Sequence, residues 1–93
     1  MRRLARVDCN HLDICHALRQ QGASVRSTAT IGMGFPKAVV GFRGFNYLIQ
    51  IKDGTKKWEL TDDQEAFHSD WKGQIVIVDS IESAIEWMDG FRK

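Results

Sequence analysis

A chain of 93 residues is long enough for one small domain and too short for two, so core and site must share the same few elements. Hydrophobic residues make up 43%, charged residues 27%, and there is one proline, a globular composition that excludes a disordered or low-complexity chain. The net charge of +1 does not by itself announce a nucleic-acid partner.

The basic segment 1–7 begins Met1-Arg2-Arg3-Leu4-Ala5-Arg6 and runs into Val7-Asp8 instead of an apolar stretch. Neither a signal peptide nor a membrane anchor is expected, and the protein is expected to be cytoplasmic. Asp8 or Asn10 is placed to cap a first helix. Its apolar positions Leu12, Ile14, Cys15 and Leu18 recur at three- and four-residue spacing, with Gly22 as the stop. Cys9 and Cys15, six apart, fall on different faces of that helix and are expected as reduced thiols. His11 and Cys15, four apart, could share a metal, but two ligands fall short of the four of a structural zinc site.

Residues 24–30 favour a strand, which Gly32-Met33-Gly34-Phe35-Pro36 must end. Ala38-Val39-Val40-Gly41-Phe42 predicts a second strand, Arg43-Gly44 a tight turn, and residues 45–52 a third strand, together a hairpin. An exposed loop, Asp53-Gly54-Thr55-Lys56-Lys57, precedes Thr61 and Gln64, which form a capping box for a second helix carrying Ala66, Phe67 and Trp71. After Gly73, the nearly continuous β-branched run Ile75-Val76-Ile77-Val78 predicts a buried inner strand. Asp79-Ser80-Ile81-Glu82 then opens a last helix with an acid-capped box and the apolar stripe Ala84, Ile85, Trp87 and Met88. The predicted order is αβββαβα in a single α/β domain, with a mixed central sheet flanked by helices.

Arg2, Arg3, Arg6, Arg26, Lys37, Arg43, Lys52, Lys56 and Lys57 fall early in the chain, whereas Asp62, Asp63, Glu65, Asp70, Asp79, Glu82, Glu86 and Asp89 fall late. If the basic residues share a face, the result is a local basic surface with an acidic back; otherwise they are ordinary solubilising charges. In a strand Gln50 and Lys52 point one way and Tyr47, Ile49 and Ile51 the other, so two polar groups emerge together near Lys37. Charge protecting an edge strand from aggregation would look the same.

The run Gly32-Met33-Gly34-Phe35-Pro36-Lys37, the hairpin ending Gln50-Ile51-Lys52-Asp53-Gly54, and Leu60-Thr61 before a helix with Gln64, Phe67 and His68 resemble the PD-(D/E)XK nucleases. The likeness is greatest to the small Holliday-junction-resolvase-like and VRR-NUC groups of phages and bacteria. It spans nearly the whole chain and implies a minimal restriction-endonuclease-like core. Family members carry an acid on the first helix, an aspartate after the proline, and an acid two residues before a lysine on the third strand. Those acids hold magnesium, which polarises the phosphate and activates a water.

Carried over, Asp13 takes the place of the helix acid and metal ligand, Lys37 replaces the aspartate, Gln50 replaces the second acid, and Lys52 matches the lysine. Catalytic positions are therefore Lys37, Gln50 and Lys52, with DNA contacts expected from Arg43, Lys52, Lys56 and Lys57. An ammonium in place of a carboxylate changes the site by two charges, repels a dication, and can itself hold a phosphate. The resemblance thus implies a catalytically impaired or inactive DNA-binding relative needing no cofactor. An active endonuclease using Mg2+ or Mn2+, with Asp13, Gln50 and Asp53 as ligands, is one alternative; a retired nuclease fold that binds a protein partner is the other. A homodimer is also implied. His68 is read either as a general base or as a half-buried ring beside Trp71, and Trp58 as the tryptophan best placed to stack on a base.

Overall fold

The computed structural model describes residues 10–92, so the basic segment 1–7, the Asp8 cap and Cys9 lie outside the described residues. Helix α1 (His11–Gln20) leads into strands β1 (Ser24–Ser27), β2 (Ala38–Phe42) and β3 (Phe45–Ile51). Helix α2 (Asp62–Asp70), strand β4 (Ile75–Val78), helix α3 (Ile81–Asp89) and a short 3-10 turn (Gly90–Arg92) follow. The four strands form one mixed sheet in the order β1-β2-β3-β4. The first two pairings are antiparallel and the last is parallel, as expected when a helix carries the chain from β3 to β4.

Alternation along the strands divides the sheet into two unlike faces. Val25, Ala38, Val40, Tyr47, Ile49, Ile51 and Val78 pack against Ile14, Cys15 and Leu18 of α1 and Ala84 and Met88 of α3. Burying each large aliphatic side chain contributes about 1.5–3 kcal/mol, so this layer holds the domain together. Helix α2 lies on the opposite face and is held by few contacts: Phe67 meets Phe35 edge-on at 5.2 Å, stacks on Trp71, and Gln64 is its buried residue.

The turn at Arg43-Gly44 has φ of +55° and +84°, the pair of positive values that a two-residue hairpin turn requires. Beside it Phe42, Tyr47, Trp87 and Phe91 form a chain of edge-on and tilted ring contacts that fixes the end of α3 to the hairpin.

Four expectations are corrected. Leu12 is 73% exposed and His11, at 2%, takes its place on the buried stripe. Asn10 occupies the cap of α1 but makes no side-chain cap bond: its Nδ2 donates to Lys52 O and Asp79 O, and its Oδ1 takes no backbone N–H of the helix. The box opening α3 is built from Ser80 and Ser83, each hydroxyl accepting from the other's backbone N–H, with no acid in it. Strand β4 stands at an edge of the sheet with Ile77 38% exposed, because no further strand among the described residues pairs with it. Among the described residues no helix is long and apolar enough to cross a membrane.

Candidate functional site

Lys37 stands at the start of β2, where the regular ladder ends. Ala38 pairs with Ile49, and Lys37 N also donates to Ile49 O at 2.9 Å, while Lys37 O accepts from Thr28 N. Antiparallel partners have sums of residue numbers that are constant, and this bond falls one short of the ladder, so Lys37 and Ala38 both face Ile49, as at a bulge. Ala38, Ile49 and Ile51 are buried in the core face. Alternation therefore assigns Gln50 and Lys52 to the face that α2 covers.

Gln50 is completely buried, and its Oε1 lies 3.4 Å from His68 Nε2. Its Nε2 has no hydrogen-bond partner among the described residues. Burial first, and then the Lys52 ammonium, hold the His68 pKa below the ordinary imidazole value. A neutral ring with its proton on Nε2 can donate to the Gln50 carbonyl, so the amide is gripped on one side and open on the other.

The approach of α2 follows from local sequence. Thr61 Oγ1 accepts from Gln64 N at 3.2 Å and Gln64 Oε1 from Thr61 N at 3.0 Å, which starts the helix at a defined residue. Gly34, at φ +82°, packs so closely on its first turn that a Cβ would come within 2.5 Å of Asp63 O. The glycine-rich loop thereby positions the helix that brings His68 to Gln50.

A second tie gathers the ends of β3 and β4. Asn10 Nδ2 donates to Lys52 O at 2.9 Å and to Asp79 O at 3.2 Å, while Gly54 N donates to Asp79 O at 2.9 Å. Trp58 Nε1 donates to Asp79 Oδ2 at 3.0 Å, which anchors the lysine-bearing loop through a ring that remains partly exposed. Sequence reasoning missed these roles of Asn10 and Asp79. Both carry ordinary helix-cap residue types, and the contacts span more than forty residues.

The remaining site residues divide. Lys52, Lys56 and Lys57 share one end of β3, with Lys56 Nζ 3.9 Å from Asp53 Oδ2. Arg43 lies beyond the other end, roughly 25 Å away along a seven-residue strand. There it donates to Phe91 O and sits over the Phe42 ring at 5.4 Å. Asp13 is exposed on α1, the helix that covers the core face and not the Gln50 face. His11 Nε2 lies 3.1 Å from Ser27 Oγ and 3.7 Å from Cys15 Sγ, a buried tie between α1 and β1. Burial pushes the Cys15 thiol up, which leaves it a poor nucleophile and metal ligand.

A hard dication needs several oxygen ligands, mostly carboxylates. The face offers an amide, an imidazole and the ammonium of Lys52, while Asp53 Oδ1 already accepts from Thr55 N at 3.0 Å and Thr55 Oγ1 at 2.6 Å. Nor do the described residues contain a group of three or more His, Cys, Asp or Glu able to hold a metal ion. The donor set does not fit magnesium.

No family model, curated protein or solved structure matches the chain. Among the described residues it is an α/β domain with a four-stranded mixed sheet, three α-helices, and a buried amide beside an imidazole.

Proposed function

We propose that the chain is a cytoplasmic, PD-(D/E)XK nuclease-like DNA-binding protein that has lost metal-dependent hydrolysis. The observation that supports this reading is the face shared by Gln50 and Lys52, both beside His68, with Lys37 at the neighbouring start of β2. In a working site of this kind these positions supply two acids and a lysine around a dication; here one acid position is an ammonium and the other an amide. Lys37 takes over the cation's task of meeting a backbone phosphate, Lys52 adds a second positive charge, and Lys56 and Lys57 extend the contact along the strand. No group in the site activates a water, since His68 is turned to Gln50 and has no carboxylate to orient it.

Titration of labelled four-way and linear DNA with and without Mg2+ or Mn2+ tests the reading. Binding without cleavage, indifferent to chelator, is the expected result. Metal-dependent cleavage by the unmodified chain, abolished by Lys52→Ala, would establish a working endonuclease instead. Absence of both binding and cleavage would point to a protein partner.

A further inference from the structure

A second surface lies along α2. Asp63, Ala66, Phe67 and Asp70 recur at three- and four-residue spacing, so they share one stripe of the helix. Together with Met33 and Trp71 they line an open cleft of about 410 Å3. Its apolar part is bare, with Met33 89% exposed and Trp71 42%. Met33 stands in left-handed backbone at φ +56°, between two glycines that share that conformation, where a third glycine would be unstrained. Packing within the chain does not account for a large thioether there, since the residue is almost wholly in water.

The charge beside the cleft is one-sided. Helix α2 carries Asp62, Asp63, Glu65 and Asp70, all exposed, and among the described residues none of them is in an ion pair. Lys72, just past the helix, donates to the backbone oxygen of Asp70 at 3.3 Å and not to its carboxylate.

We propose that this cleft docks a short basic helix of another protein, with apolar side chains over Ala66 and cations at Asp63 and Asp70. The spacing selects the occupant. Seven residues of helix put the two aspartates roughly 10.5 Å apart, with Ala66 and Phe67 between them. A helical partner with arginine or lysine two turns apart, and leucine-like residues one turn in from each, matches that pattern position for position. Same-face residues of an extended chain repeat at roughly 6.6 and 13 Å and fit neither end. The methyl group of Ala66 leaves room for the entering side chain, and the flexible, polarisable Met33 adapts to it. Four carboxylates repel a nucleic acid, so the occupant differs in class from the DNA proposed for the lysine-rich end, and the docking does not rest on that reading.

The test is the fluorescence anisotropy of a labelled amphipathic peptide, with arginines two turns apart and leucines between, titrated with the full chain in chelator and without DNA. Saturable one-to-one binding is expected. Asp63→Asn with Asp70→Asn should weaken it by about fivefold, the combined effect of two exposed ion pairs. At physiological salt, Glu82→Gln with Glu86→Gln, the same change of charge on α3, should leave it unaltered. Ala66→Arg fills the cleft at an exposed helical position and should abolish binding with unchanged far-UV circular dichroism; Met33→Ser, outside the helix, should weaken it as well. A peptide with serine for leucine should bind at least about tenfold more weakly.

Failure of the peptide to bind the parent overturns the proposal. So does an equal loss in the α3 variant, or a serine peptide that binds as tightly, either of which means unspecific attraction to acid. Two other occupants give results of their own. Binding seen only with an Arg2→Ser, Arg3→Ser, Arg6→Ser variant assigns the cleft to the chain's own basic segment, and a dimer dispersed by Ala66→Arg assigns it to a second copy; each overturns the proposal.

Discussion

Gln50 is an amide at a completely buried position with one donor unpaired among the described residues, an arrangement that costs about 1–3 kcal/mol. Stability alone favours an apolar residue of that shape. Gln50→Met is therefore expected to raise the unfolding free energy by about 1 kcal/mol in urea titrations, and a loss of stability would show the amide to be fully satisfied. Under the proposed reading the same residue bears on metal affinity. Lys37→Asp with Gln50→Glu restores both acids of the family pattern, so calorimetry with Mg2+ or Mn2+ should give a binding isotherm for the double variant and none for the parent. His68 adds a pH dependence. Its folded pKa is lowered while its unfolded pKa is about 6.5, so between them the unfolded chain binds more protons. Stability should rise with pH through the window just below about 6.5, and His68→Gln should flatten that slope in unfolding curves measured across it.

At the scale of elements, local chemistry was legible wherever a few neighbouring residues decide the outcome. Arg43-Gly44 gives the turn it spells, and Thr61 with Gln64 gives the box it spells. Where distant residues decide, the pattern misleads. Ile75-Val76-Ile77-Val78 reads as an inner strand because continuous apolar runs usually have neighbours on both sides, yet strand order leaves it at an edge. Leu12 fits the helical period as well as His11 does, but His11 finds Ser27 across the sheet and Leu12 faces water. In the site, strand parity puts Gln50 and Lys52 on one face and gives no place to Lys37; the contact with His68 needed the placement of α2, which no local signal gives. That placement rests on Gly34. Gly34→Ala is expected to cost at least about 2 kcal/mol, since it joins a left-handed backbone to a clash with Asp63 O. Gly44→Ala, also left-handed but with open space around its Cβ, should cost only about 1 kcal/mol. Paired thermal melts compare the two, and equal losses would remove the argument that the loop seats α2.

Across the whole molecule, one sheet face is spent on the core and the other is left to a loosely held helix, polar strand residues and an end rich in lysine. A protein with a net charge of +1 can hold nucleic acid only if its basic groups are gathered, and the ends of β3 and β4 gather Lys52, Lys56 and Lys57 while Arg43 is spent on Phe91 of the 3-10 turn. In the proposed reading Lys37 is the deciding residue, because it stands at the position of a family acid and would replace the metal as the positive charge there. The most direct measurement is the salt dependence of affinity for labelled DNA in the presence of chelator, for the parent and for Lys37→Ala. Each phosphate contact contributes about one unit to the slope of log affinity against log salt. The parent is expected to bind equally with and without Mg2+, and Lys37→Ala to bind more weakly with a slope smaller by about one. Binding that requires magnesium, or a Lys37→Ala variant with unchanged affinity and slope, would contradict the proposed role of this lysine.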